Sequence, residues 1–496
     1  MQKRRLQTVG RSTLFLAVFT GFFLLSGCLV GPDYQKPVFK FHSRWSADSR
    51  ETPSAPPELA DWWQRFNDPL LDKLVSDAIA GNNDVQSAKA RVREARATLW
   101  QTTGTLLPSI DGSASANRNK SAGGPERSQY RGGLDSSWEI DLFGANRRAV
   151  EAAKYGLDGA KEDMRATMLT LIGDVATNYA EIRGLQQQIA LAQRTAIAQR
   201  RTAQLTKDKF AAGAVSQLDV SNAEGQAATT EAGIPQMQAN LAITVHRLSV
   251  LTGQSPIALD DIMAKTGKIP EPKWPIPAGV PADILLTRPD VRLAERQYAQ
   301  ATARVGQKEA DRYPSLTLTG NISTSATQPG ELGKSSSISW SAGPGLSIPI
   351  FEGGQRIAAV EVARAQRDQS FINYRSSVLT ALEDVENALV SMSKERQRSA
   401  KLAIAANSYA KALSLSRSLY QSGNTSFLEL LNAERSQYSS EQSLIESRVS
   451  ITKDYISLMK ALGGGWDGAV DDTKPEIVDG YTGPHIRKVE TESKTR

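Results

Sequence analysis

The sequence predicts a mainly α-helical protomer with a small transmembrane β-part, each written twice within one chain. Three observations predict it. Residues 83–253 recur in 288–463 at a nearly constant offset of about 206 to 210, and self-similarity of this length decides the fold before any local reading does. Within each copy, two stretches of period-two patterning interrupt the helical ones. After them comes a helical hairpin much longer than a globular domain uses.

Taken in order, residues 1–27 are an address. Lys3, Arg4, Arg5 and Arg11 form a basic start, and Leu14 to Leu25 is apolar but too short to span a bilayer. Leu25-Ser26-Gly27-Cys28 has the form of a bacterial lipobox, and Cys28 is the only cysteine, so it is the expected lipidation site. Several acyl chains at roughly 0.8 kcal/mol per buried CH₂ make a firm anchor. Removing the signal takes four positive charges and no negative ones from the +6 precursor, which leaves 6 − 4 = +2. A near-neutral mature chain without a basic, aromatic stripe excludes nucleic-acid binding.

Residues 28–68 form a lipid-anchored extension, and the first repeat spans 69–253, opening with helix at about 69–106. Its β-hairpin, 109–143, sets Ile110, Gly112, Ala114 and Ala116, then Leu134, Trp138 and Ile140, on one face, against Ser, Asp and Asn on the other. Strands of about 9–12 residues match a tilted membrane span. Aromatic residues (Tyr130, Trp138, Phe143, Tyr313, Trp340, Phe351) near the strand ends suit interfacial girdles. A helical hairpin over 145–253 follows, proline-free from Arg147 to about Ala212. It turns at Gly213, where glycine ends one helix and Ser216 can cap the next. Gly233-Ile234-Pro235 predicts a kink or break in the returning helix.

Residues 254–287 are a proline-rich linker, and Thr287 reads as the cap of the helix that opens the second repeat, 288–463. That repeat has its β-hairpin at 315–351 and its helical hairpin at 354–463, turning at Gly423 and Ser426. A polar tail, 464–496, closes the chain. Four strands cannot close a barrel alone, and open edges are not tolerated in lipid. Copies must therefore assemble, two giving eight strands or three giving twelve, around a lumen lined by Ser, Thr, Asn and Gly.

Several motifs carry a resemblance: Cys28-Leu29-Val30-Gly31-Pro32-Asp33-Tyr34, Trp62-Trp63-Gln64-Arg65-Phe66, Arg288-Pro289-Asp290, Gly345-Leu346-Ser347-Ile348-Pro349-Ile350-Phe351 and Ala461-Leu462-Gly463-Gly464-Gly465-Trp466. Together they resemble the TolC family of outer-membrane efflux channels, in its OprM/NodT lipoprotein branch. The resemblance implies a homotrimer in the bacterial outer membrane, with a twelve-stranded β-barrel continued by a periplasmic α-helical barrel. It also implies a periplasmic adaptor (membrane fusion) protein and an inner-membrane pump of the resistance-nodulation-division class as partners. By the same resemblance, Leu428, Glu429, Asn432 and Arg435 fall at a periplasmic gate, with Asp219 as a link residue and Tyr420 as its partner. Gly213, Ser216, Gly423 and Ser426 fall where hairpin tips meet an adaptor. The family's usual aspartate is replaced at Asn432, and Thr425 stands where some relatives carry an arginine.

An enzyme has little support. His42, His246 and His485 form no ligand pair, no phosphate-cradling glycine loop precedes a helix, and no cofactor or metal is expected. The expected function is a passive efflux duct for small molecules. Type I protein secretion is the second reading, and a trimeric coiled-coil adhesin the reading from another class. An adhesin collects its strands in one C-terminal block, whereas here two hairpins interrupt the helices.

Overall fold

A computed structural model of the chain describes residues 29–39, 59–273 and 288–465. Cys28, Thr287 and Trp466 lie outside the described residues. A 3-10 turn at Trp62–Phe66 leads into α1 (Pro69–Gly81) and α2 (Asn83–Gly104). Then come β1 (Ser109–Asn119), β2 (Arg127–Ile140), α3 (Ala145–Ala211) and α4 (Gln217–Leu251). The second copy supplies α5 (Pro289–Ala310), β3 (Ser315–Ala326), β4 (Ile338–Ser347), α6 (Gln355–Gln421) and α7 (Phe427–Ala461). The duplication is kept in length: α3 and α6 have 67 residues each, α4 and α7 have 35. At 1.5 Å per residue the longer helices reach roughly 100 Å. No described helix is apolar enough to cross a membrane.

The opening helix of the first copy is two helices, not one. Asn82 adopts an extended conformation and accepts from the N–H groups of Asp84 and Val85, which caps α2. Its Nδ2 also donates to the carbonyl of Leu251, 2.9 Å away, so the end of α4 abuts the start of α2. The second copy repeats this joint with Arg288 as the cap residue of α5. Its guanidinium donates to the carbonyl of Ala461 at 3.1 Å and pairs with Asp290 and Asp384. Each short helix thus continues the returning helix of its own copy. The wall order is α4 with α2, then α3, then α7 with α5, then α6.

α3 sits inside this wall and buries residues on most of its circumference, whereas α6 forms one edge. The expected break at Pro235 does not occur. α4 runs through it unbroken, and Pro235 is exposed, so water can satisfy the carbonyl that lacks an N–H partner. At mid-height Trp62, Trp63, Phe66 and Tyr455 pack edge to face, and Tyr179 donates to Asp68 at 2.6 Å, fastening the first turn to α3.

The four strands form one antiparallel sheet in the order β1-β2-β3-β4. Its register aligns the two faces: Leu134 stands beside Ile322 and Ile322 beside Trp340, while Trp138 stands beside Leu318. This apolar face is bare, with Ile110, Leu134, Ile322, Trp340 and Leu346 more than half exposed. A sheet packed on a core would cover such a face, and within one chain nothing covers this one. Aromatics mark both rims. Phe143 and Tyr313 stack at 4.6 Å where the strands meet the helices, and Tyr130 and Trp340 lie toward the hairpin turns. The outer edges of β1 and β4 have no strand partner among the described residues.

Candidate functional site: the hairpin tips

Two helical turns form the end of the wall farthest from the sheet. At the first, Gly213 has φ of 75° and the Ala214 N–H returns to the carbonyl of Lys209 at 2.8 Å. Only glycine takes that backbone without strain. Gly423 does the same at the second, with φ of 80° and the Asn424 N–H on the carbonyl of Leu419. A Cβ on either glycine would meet nothing within 4 Å, so both turns are open to a partner.

The two returning helices are capped by the same residue type but in different ways. Ser216 and Asp219 make a full capping box, in which the Asp219 carboxylate accepts from the Ser216 N–H at 3.0 Å. In α7, Ser426 accepts from the Glu429 N–H at 3.3 Å, but the Glu429 carboxylate accepts from Thr425 Oγ1. Glu429 is thereby held beside the turn. Leu428 is 61 % exposed and Asn432 is exposed one turn on. Arg435 donates from Nε to Gln226 Oε1 at 2.7 Å and so joins the second tip to the first.

Tyr420 has a different setting from the other gate candidates. It is buried, with its hydroxyl 3.0 Å from Thr206 Oγ1, its ring edge-on to Phe427 and Lys209 Nζ 4.6 Å from the ring centre. Burial pushes its hydroxyl pKa up, the Thr206 hydrogen bond opposes that, and the Asp219 charge adds to it. Within one chain, Asp219 influences Tyr420 through its charge and hydrogen-bonds its own helix cap. Ala203, Ala223, Phe427, Leu430 and Leu431 complete a small apolar core around the tyrosine.

Glu434 was not singled out by the sequence. It is 4 % exposed, accepts from Thr202 Oγ1 on α3 at 2.9 Å and pairs with Arg417 on α6 at 3.3 Å. Its counterpart in the other copy, Glu224, pairs with Lys207 at the surface. The two copies share Asn-Ala-Glu, and only the fold distinguishes them, because the second glutamate alone faces a helix on both sides.

Higher on the wall, Asp454 of α7 has its carboxyl pushed up to about 6, by burial first and the nearby Glu395 charge second. The folded value lies above the unfolded 3.8, so this group's stabilisation is complete below about pH 4 and lost as pH rises toward 6. Asp454→Asn is expected to raise the unfolding free energy at pH 7.5, by on the order of 1 kcal/mol after solvent screening, and to change it little at pH 4, as read from melting curves at the two pH values. Equal shifts at both pH values would show that packing, not charge, is responsible.

The outer membrane efflux protein family matches residues 74–254 and 280–464, nearly the whole of both repeats. The chain belongs to the outer membrane efflux protein family. Among relatives of this family, Nodulation protein T of Rhizobium leguminosarum bv. trifolii is 36 % identical over 91 % of this chain and 98 % of its own length. The solvent efflux pump outer membrane protein SrpC of Pseudomonas putida is 31 % identical over 89 % of this chain and 96 % of its own. The solved outer-membrane channel OprN superposes with a TM-score of 0.82 at 33 % identity, covering 88 % of this chain and all of that one. The helical wall and the four-stranded sheet are therefore those of an outer membrane efflux channel.

Proposed function

We propose that three copies close this chain into the outer-membrane duct of a tripartite efflux system. The observation that carries the proposal is that sheet and wall end in matching open edges. β1 and β4 lack outer partners, and the helices on the same two flanks, α2 with α4 and α6, are the edges of the wall. Along α6, Ile357, Ile372, Leu379, Val390, Ile404 and Leu415 are all exposed. At 100° per residue they fall within a sector of about 60°, a continuous apolar seam for a neighbouring copy. Three copies of four strands give twelve, enough for a closed barrel with an aqueous lumen.

The tips form the periplasmic gate, where Leu428, Glu429 and Asn432 line the constriction and Arg435, Asp219 and Tyr420 steady it. Gly213, Ser216, Gly423 and Ser426 present the turns to a periplasmic adaptor, which couples the duct to an inner-membrane pump of the resistance-nodulation-division class. An acylated Cys28 anchors the chain to the outer membrane. The duct catalyses no reaction, and its solutes are small molecules. The relatives SrpC, a solvent efflux pump component, and CusC of Escherichia coli, a cation efflux system protein at 30 % identity, support that class.

Leu134→Arg tests the membrane reading. An arginine near the bilayer midplane costs roughly 2–4 kcal/mol, so the assembled protein should be nearly lost from the outer-membrane fraction. Ser113→Arg, on the other face of the sheet, should leave assembly intact. Equal yields of the two variants would overturn the assignment of the apolar face to lipid.

A further inference from the structure

The polar face of the sheet is not uniform along its strands, and the register shows where its charges fall. Nearest the helices, Glu139 lies opposite Thr317. Two residues outward, Ser137 lies between Ser109 and Thr319. In the next row Asp111 directly faces Asp135, and Asn321 and Ser341 continue that row. A row of small residues follows: Ser113, Gly133, Ser323 and Ser339. Arg131 then stands between Ser115 and Ser325, and Arg127 opposite Asn119 comes last, beside the hairpin turn. The sign of the charge reverses along the strands, from acids at the helical end to bases at the outer end.

Strand pairing does not account for the acidic row. Like charges directly opposite on paired strands are destabilising. Asn321 donates from Nδ2 to Asp135 Oδ1 at 2.5 Å, which relieves one carboxylate, but the Asp111 carboxylate has no hydrogen bond or ion pair among the described residues. Arg131 is on the same strand as Asp135 but four residues away, roughly 13 Å along the pleat. That exceeds the Debye length of about 8 Å at physiological ionic strength, so the two zones act separately instead of cancelling.

We propose that the barrel lumen is a charge-graded filter. The Asp111–Asp135 row concentrates cationic solutes, protonated amines above all, and disfavours anions; the Arg131 and Arg127 rows keep external cations from the outer mouth. The proposal rests on three copies closing the sheet into one pore, which turns two carboxylates per chain into a ring of six (2 × 3). A narrow water-filled lumen within a low-dielectric wall focuses such a field, and carboxylate rings select cations in channels. The field supplies no net work. Direction comes from the solute gradient that the pump maintains.

The test uses the full-length chain in intact cells, with single cysteine reporters and size-matched thiosulfonate reagents, one carrying a trimethylammonium and one a sulfonate. Ser137→Cys reports the row next to the acids, and Asn117→Cys the space between the two arginine rows; the chain without a reporter sets the background from Cys28. Reagents added outside reach the lumen through the outer mouth, whatever the state of the tips. The cation-to-anion rate ratio should be severalfold higher at Ser137→Cys than at Asn117→Cys. Asp111→Asn with Asp135→Asn should reduce it severalfold at Ser137→Cys. Asparagine keeps the shape and removes a like-charge contact, so this variant should be no less stable than the parent. Ratios that are equal at the two reporters, or that ignore the double substitution, would overturn the filter and leave the pore standing. A Ser137→Cys that neither reagent reaches, or that reacts no faster than the lipid-face reporter Leu134→Cys, would overturn the closed barrel itself.

Discussion

Replacing Glu429 and Asp219 together by alanine is expected to raise the conductance of trimers in planar bilayers by roughly tenfold. The parent should show low, mostly closed currents. Asp219 accepts from the Ser216 N–H in the capping box, and removing such a cap costs about 1 kcal/mol of local order. Glu429 holds the second turn through Thr425 and, in the proposed trimer, would contribute one carboxylate per chain to the constriction at the tips. Its loss widens the aperture as well as loosening the turn. A change of about 1.4 kcal/mol in the balance between closed and open tips is a factor of ten in their ratio. Glu224→Ala is the control, because it breaks only the exposed pair with Lys207, and such pairs contribute little. No rise in the double variant would remove Glu429 and Asp219 from the gate, while the channel itself would stand.

What the sequence revealed depended on how far each interaction reaches along the chain. The strands were legible because alternation is local, and the register then aligned the odd and even faces across all four strands. The glycine turns were legible because a positive φ narrows the choice of residue. Glu434 was not, because its burial comes from Thr202 on α3, at 232 residues' separation, and no pattern around the glutamate encodes that neighbour. The division at Asn82 escaped for the same reason. A single asparagine in a helical pattern is unremarkable until the carbonyl of Leu251, 169 residues away, arrives to meet its amide. At Pro235 the break, one of the two expected outcomes, does not form: the local rule was sound, but an exposed helix face leaves the unpaired carbonyl open to water. Of the gate candidates, Asp219 and Tyr420 are partners only as the family resemblance implies. Within one chain Asp219 bonds to Ser216 and Tyr420 to Thr206, so the two are not joined by a hydrogen bond to each other.

Arg148→Ala is expected to release the segment that joins the anchor to the wall and to cost about 2–3 kcal/mol per chain. Arg148 is 1 % exposed, and its guanidinium donates to the carbonyls of Val30 and Gly31, to Asp33 at 2.7 Å and to Glu151 at 2.7 Å. The two carboxylates regain water when it is removed, which keeps the cost below that of a fully buried broken pair. Lysine should not rescue, because a single ammonium cannot serve acceptors arranged around a planar fork. Gly31→Ala offers an independent route to the same release: Gly31 has φ of 89°, and a Cβ there would lie 2.4 Å from the Cα of Gly306. Upstream, the Val30 N–H bonds the Phe143 carbonyl at 3.1 Å, where β2 turns into α3, so the start of the described segment lies at the inner rim of the sheet. Release should expose Tyr34 and Phe39 to chymotrypsin and lower the temperature at which trimers dissociate. Unchanged cleavage in both variants would assign the hold to the Tyr34–Glu295 hydrogen bond and the rings of Tyr155 and Tyr298 instead. Either way the segment crosses from α3 to α5 and on to Tyr374 of α6, so it binds the two repeats to each other.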